Sequence, residues 1–172
     1  VLATYDGRNG FVQRYTRFEG VIPNLERRFR ETDSDAMRRS VIAGHPVSLD
    51  HIGLFADGVA VRKVGRYTLP VVQATVDEIV LVSNDEICAA IKDVFDDTRA
   101  IVEPAGALAV AGIKTYVERT GVEDQHFVGL LSGANMNFDR LRFVAERAEL
   151  GEAREALFAV TIPEKPGAFR QF

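Results

Sequence analysis

The chain has 172 residues and a mass of 19.0 kDa, is 47% hydrophobic and 27% charged, and so can bury a core as neither a disordered nor a fibrous chain can. Twenty-one Lys and Arg against 25 Asp and Glu give a net charge of -4, which leaves no basic field to hold nucleic acid, and the single cysteine, Cys88, excludes an internal disulfide or a Cys-based zinc site. No apolar run approaches the roughly 18 residues that cross a bilayer, and VLATYDGRNG lacks the basic start and apolar stretch of a secretory signal, so the expectation is a cytoplasmic chain with no membrane partner.

Residues 1–32 hold six arginines between Arg8 and Arg30 and keep no period of 2 or 3.6, so no element is assigned to them. From Ser34 the pattern sharpens. SDAMRRSVIA predicts a short helix with Ser34 as N-cap, Met37, Val41 and Ile42 on one side and Gly44 just past the end. The following stretch carries Gly44, Gly53, Gly58 and Gly65, too many for an element interior, and predicts turns and close backbone approaches.

Glu78 to Ser83 (EIVLVS) is an apolar run of strand length, and Ser83 and Glu86 stand at capping-box spacing ahead of an amphipathic helix. In that helix Ile87, Ile91, Val94 and Phe95 form the predicted buried stripe, with Lys92, Asp93, Asp96 and Asp97 facing water. A second helix is predicted from Pro104 through AGALAVAGIKTYVERT to a stop at Gly121. HFVGLLS then reads as a buried strand, SGAN as a tight turn, and NFDRLRFVAER as a helix with Phe138, Leu141, Val144 and Ala145 on one face. Strands alternating with helices predict an α/β fold with a mainly parallel sheet and flanking helices, in which ligands sit at the carboxyl ends of strands. Glu149 to Glu155 reads as a linker, after which ALFAVTI forms another apolar run that breaks at PEKPG.

Site searches by motif find little. There is no G-x-G-x-x-G, no G-x-x-x-x-G-K, no H-E-x-x-H and no cysteine cluster. His45, His51 and His126 are isolated and read as structural or solvent-facing, and Cys88 as a small core residue. SGAN places the Ser132 hydroxyl at a strand end beside glycine, where backbone can approach a ligand, although a plain strand-to-helix turn capped by Asn137 is the simpler explanation. Glu103, just ahead of a helix N-terminus, would be stabilised there by the helix dipole even without a function.

The segments SDAMRRSVIAGHPV, GLFADGVAVRKVG, EPAGALAVAGIK, LLSGANMNFDRLRFVAERAELGE and REALFAVTIPEKPGAF together resemble the biosynthetic threonine deaminases (threonine ammonia-lyases), in that family's order, over about Ser34 to Phe172. The resemblance implies a pyridoxal phosphate enzyme of the tryptophan synthase β-like fold. Residues 33–150 would then be part of the catalytic domain, and 151–172 a linker and the start of an ACT-like regulatory domain. It also implies roles for three residues. Ser132 would hydrogen-bond the pyridine nitrogen of the cofactor, and as a neutral hydroxyl would leave the ring a weaker electron sink, favouring elimination over transamination. Gly58 would lie against the cofactor ring, where a Cβ would collide. Glu103 would stand as a carboxylate near the same ring edge.

The implied reaction converts L-threonine to 2-oxobutanoate and ammonia, the entry to isoleucine synthesis, with isoleucine as feedback effector and a homotetramer as the family's assembly. Against the family pattern, the lysines (Lys63, Lys92, Lys114 and Lys165) all stand outside the serine-phenylalanine-lysine context that binds the cofactor covalently, and the glycine run that cradles its phosphate does not match residues 1–32. Arg30 stands where some cousins carry a metal-binding Glu, so no metal is expected. The chain is therefore expected to be an incomplete and inactive part of such an enzyme. The alternatives are a non-catalytic binding or assembly module that reuses the fold, or a related serine/threonine dehydratase.

Overall fold

A computed structural model describes residues 34–154 in full, and the backbone of three further strands, Leu2–Asp6 (β1), Gly10–Gln13 (β2) and Arg28–Glu31 (β3). The predicted ALFAVTI run and the residues after it lie outside the described residues.

The first helix, α1, spans Ala36–Ala43 and ends on Gly44, whose φ of 75° is the left-handed geometry that stops a helix. Its N-cap is Asp35 and not Ser34. Ser34 is fully buried, and its Oγ instead donates to the Gly53 carbonyl at 2.9 Å, which ties the helix start to the loop beyond it. Met37 is buried as expected, but Ile42 lies exposed. The buried polar residue on this helix is Ser40, whose hydroxyl donates to Ala36 O at 2.7 Å and accepts from Val47 N–H at 2.9 Å, turning the chain back after Gly44.

The glycine-rich stretch is a closed loop, as its composition predicts. Ser48 and Lys63 form an antiparallel bridge, Leu49 N–H donates to Arg62 O at 2.8 Å, and a 3-10 turn occupies Asp57–Val59. A helix that the sequence reading missed, α2 (Thr68–Thr75), comes next. It carries Pro70 in its first turn, where a missing N–H costs nothing. Leu69 and Val72 of α2 pack with Ala36, Met37, Leu49 and Val64 into one of two apolar clusters among the described residues.

The strand β4 (Ile79–Val82) buries Val80 and Val82 and pairs in parallel with β3, Phe29 opposite Val80. Ser83 then closes the predicted capping box: its Oγ accepts from Glu86 N–H at 3.3 Å while the Glu86 carboxylate accepts from Ser83 N–H at 2.6 Å. The helix so started, α3 (Asn84–Thr98), runs beside α4 (Pro104–Thr120) and α5 (Arg140–Gly151). Between two helices α3 buries a wider arc than one stripe, Ile87, Cys88, Ala89, Ala90, Ile91 and Val94, and this turns Phe95 outward, 41% exposed under the Arg99 guanidinium. Two of the charges expected to face water are half-buried instead. Lys92 Nζ pairs with Glu152 at 2.8 Å and Asp93 with Lys114 Nζ at 2.6 Å, each joining α3 to a neighbour.

The strand β5 (Phe127–Leu130) is not the buried run expected: Gly129 is its buried residue, while Val128 and Leu130 are exposed. The cause is its closeness to α4, since a Cβ on Gly129 would stand 3.2 Å from Ile113 Cδ1. β5 pairs antiparallel with β1, and β1 with β2, so the expected parallel pairing is seen in β3–β4 while the order β2-β1-β5 runs antiparallel. In α5 the buried face is Val144 and Ala148, whereas Phe138 precedes the helix, 85% exposed, and Ala145 faces solvent. This helix continues through Glu149–Gly151, so the predicted linker cannot begin at Glu149.

Helix α3 yields two stability predictions. Ser83→Ala removes one half of the capping box and should cost about 1 kcal/mol in thermal or urea unfolding. Burial, with the Asp85 charge nearby, pushes the Cys88 thiol up from 9.0 to about 12. The unfolded thiol ionises first, so stability should fall as pH rises from about 9 towards 12 and be unaffected by this group below 9. Unfolding curves across that range should flatten in Cys88→Ala.

Candidate functional site

The three residues singled out in the sequence come together at the start of α4. Glu103 is the N-cap of α4, in extended geometry, but its side chain makes no cap hydrogen bond. The carboxylate leaves the helix end and accepts from Asn135 N–H at 3.1 Å, while Glu103 N–H donates to the Gly133 carbonyl at 3.2 Å. One residue therefore holds the SGAN turn through both main chain and side chain. The alternative cap, Asn137, is not one: the N-cap of α5 is Asp139.

Two glycines permit this closeness. Gly133 has a φ of 84°, and a Cβ there would run into the Glu103 carboxylate. On the helix side, a Cβ on Gly106 would overlap the Ser132 carbonyl. The first turn of α4 is thus seated directly on the backbone of the turn that carries Ser132, with no side chain between them. The Ser132 side of this turn is exposed.

Gly58 closes the group from the loop side. A Cβ on it would stand 3.0 Å from Ala105 Cβ and 3.4 Å from Glu103 Oε1. Gly58 itself is exposed on its outer side, so its backbone offers a face without a side chain next to the Glu103 carboxylate. The loop is fixed to α5 by Arg140, whose Nη1 donates to Phe55 O at 3.3 Å, and by Phe55 against Phe143, with ring centroids 5.4 Å apart. Gly106, Gly133 and Arg140 are the residues that the sequence reading missed. The glycines were visible inside EPAGA and SGAN, whereas nothing local to Arg140 points to a carbonyl 85 residues away.

The remaining candidates lie apart. His45, His51 and His126 are exposed, and Cys88 is buried in the apolar cluster of α3, α4 and α5. Lys92 and Lys114 are engaged in their ion pairs; Lys114 stands ten residues along α4 from Pro104, about 15 Å from the helix start. An open cavity of about 430 Å³ lies between Asp35, Arg39, Asp50 and His51, and none of Gly58, Glu103 and Ser132 lines it.

An exposed hydroxyl turn braced by a carboxylate, beside the exposed backbone of a glycine, leaves room for one edge of a flat ligand. The comparisons give that edge a family. Residues 17–133 match the model of the pyridoxal-phosphate dependent enzyme family, and the chain belongs to it. Within that family it is 61% identical to the biosynthetic L-threonine dehydratase of Burkholderia multivorans over 140 residues, 81% of this chain and 28% of that protein. It is 52% identical to the mitochondrial threonine dehydratase of Saccharomyces cerevisiae over 143 residues, 81% of this chain and 25% of that one. Among solved structures, the processed form of threonine deaminase isoform 2 from Solanum lycopersicum superposes with a TM-score of 0.69 at 35% identity, over 75% of this chain and 43% of that one. Serine racemase from Dictyostelium discoideum, at 20% identity and a TM-score of 0.51, shares the fold over 68% of this chain and 46% of its own. The chain thus spans between a quarter and three tenths of the length of these curated relatives.

The seat of α4 on the turn can be tested without any ligand. Gly106→Ala places a methyl group against backbone that cannot swing away, and should lower stability by about 1–3 kcal/mol. The matching change at Gly44, whose Cβ would meet open space, should cost only the strain of its positive φ, about 1 kcal/mol. Urea unfolding of the two variants compares them directly.

Proposed function

We propose that this chain supplies the ring-nitrogen side of the cofactor site in a pyridoxal phosphate-dependent L-threonine ammonia-lyase, which forms 2-oxobutanoate and ammonia. The observation that carries the reading is the convergence of Gly58, Glu103 and the Ser132 turn at the start of α4. The identity to threonine dehydratases over 81% of the chain supports the choice of substrate. When bound, pyridoxal phosphate supplies an electron sink for the pair left at the substrate Cα.

The residues present have defined parts in this. Ser132 Oγ would hydrogen-bond the pyridine nitrogen, and as a neutral group it would not hold that nitrogen in the charged form. The exposed backbone of Gly58 would stand beside the ring, and a Cβ there, directed at Ala105 and Glu103, would push the loop out of place. Glu103 stands at the same edge and holds the turn. The lysine that binds the cofactor covalently, and the glycines that hold its phosphate, would come from outside this set of residues. By itself the chain would then bind the cofactor reversibly and leave threonine unchanged.

The same reading extends to the rest of the protein. Residues 33–150 would belong to the catalytic domain and 151–172 would lead into an ACT-like regulatory domain, with isoleucine as effector, a homotetramer as the assembly and the cytoplasm as its location. Among the described residues no helix is long and apolar enough to cross a membrane.

The test has two parts. After incubation with pyridoxal phosphate, borohydride reduction and gel filtration, the chain should retain no cofactor, because non-covalent binding offers no imine for reduction to make permanent; a retained adduct would show that one of its own lysines has taken the role. Co-expression with the part of the Burkholderia multivorans relative that this chain does not match should then restore 2-oxobutanoate formation from threonine. Pyruvate formation from serine without 2-oxobutanoate formation from threonine would point to a different hydroxyamino acid.

A further inference from the structure

The Glu103 carboxylate is placed differently from a group that acts on a ligand by its charge. Its Oε2 accepts from Asn135 N–H at 3.1 Å, its backbone N–H donates to Gly133 O at 3.2 Å, and the carboxylate occupies the space that a Gly133 side chain would fill. On its other side, Oε1 stands 3.4 Å from where a Gly58 Cβ would be. The carboxylate is therefore packed between the two segments that form the site, the loop at Gly58 and the turn at Ser132.

We propose that Glu103 is a positioning residue, which sets the Ser132 hydroxyl and its distance from the Gly58 backbone by bracing the turn as a hydrogen-bond acceptor, and not by its negative charge. The proposal rests on the reading of Ser132 as the partner of the cofactor nitrogen, and it deepens that reading. The SGAN turn needs such a brace because Gly133 is in left-handed geometry and Ser132, Ala134 and Asn135 are exposed, so the turn has little packing of its own. The main-chain bond to Gly133 O fixes the turn's near end and the side-chain bond to Asn135 N–H its far end. Between them they hold the Ser132–Asn135 segment as a rigid platform on α4.

Acceptor and charge can be separated by substitution. Glu103→Gln keeps an acceptor of the same length and removes the charge, whereas Glu103→Ala removes both. Gly133→Ala leaves Glu103 unchanged but drives its carboxylate out of place. A fourth variant, Ser132→Ala, combined with Glu103→Ala, completes a double-mutant cycle. Two quantities are measured on the whole 172-residue chain: hydrogen exchange of the Asn135 amide without cofactor, and the dissociation constant for pyridoxal phosphate by equilibrium dialysis.

In Glu103→Ala and Gly133→Ala the Asn135 amide should exchange about tenfold faster and cofactor binding weaken about tenfold, the size expected for the loss of one hydrogen bond. Glu103→Gln should stay within about threefold of the original chain in both. In the cycle, the losses from Ser132→Ala and Glu103→Ala should overlap and not add, because one acts through the other. A Gln variant as impaired as the Ala variant would assign the effect to charge and overturn the proposal. So would unchanged Asn135 exchange in Glu103→Ala, or fully additive losses. If the original chain takes up no cofactor, the reading of Ser132 falls, while faster Asn135 exchange in the Ala variant would still uphold the brace.

Discussion

Helix α4 enters the structure against bare backbone, and that contact governs where everything near the site can stand. Ser132 O lies where a side chain on Gly106 would be, and the Glu103 carboxylate where a side chain on Gly133 would be. Interiors are packed densely enough that a displaced methyl group is felt by its neighbours, so a shift of α4 by a fraction of an ångström would carry the Ser132 turn with it. Farther along, α4 buries Ala107, Leu108, Val110, Ala111 and Ile113 against the strands and α3. The exposed turn is thereby referenced to a helix that buries eight of its 17 residues. A loop that would otherwise be mobile takes its position from a helix that is not.

Charge reinforces this geometry more than it stabilises the fold. The pairs Lys92–Glu152 and Asp93–Lys114 join α3 to its two neighbours, but all four side chains retain some access to water, so each contributes little net free energy. What a pair of this kind fixes is register. Glu152, paired with Lys92, and Gly151, seated against the Asp85 carbonyl, hold the C-terminal end of α5 at two points along α3. The orientation of α5 in turn decides where Arg140 can reach, and Arg140 holds the Phe55 carbonyl three residues before Gly58. Each of the segments at the site is thus anchored to the helical layer by a separate contact: Gly58 through α5, and Ser132 through α4.

Local chemistry was legible in the sequence wherever the determinant lay within a few residues. The capping box at Ser83 and Glu86 and the stops at Gly44 and Gly121 are of this kind, since each depends on a φ angle or on a hydrogen bond across one turn. Which face a helix buries was less legible. Phe95 and Phe138 suit an apolar stripe on paper, but the number of neighbours around α3 and the start of α5 at Arg140 leave both exposed. Ser34 was read as a cap because its type and place suit one. Its hydroxyl instead bonds a carbonyl 19 residues away, and no local pattern encodes that choice. The same limit applies at the site: Gly58, Glu103 and Ser132 could be named, but their meeting at one helix end depends on Gly106 and Gly133 accepting contacts from 26 to 30 residues off. Strand direction fell between these cases, because alternation of strands and helices speaks for the parallel β3–β4 pair and is silent on the β2-β1-β5 ladder.

Family membership and the portion of the site present here are compatible on physical grounds. A partner for a ring nitrogen needs one neutral hydroxyl held at a fixed place, and a single turn on a well-packed helix can provide it. A phosphate cradle and a covalent lysine need their own backbone geometry, and nothing requires them to be contiguous with the turn. The stretch from Gly53 to Arg140 contains every contact described around Ser132: the Gly58 loop, the Glu103 brace, the two permissive glycines and the arginine that fixes the loop. One edge of the site is therefore complete in itself as a folded arrangement. On the proposed reading it would also be the edge that biases the chemistry, because the protonation of a ring nitrogen, more than the hold on a phosphate, sets how strongly a substrate's electrons are drawn away.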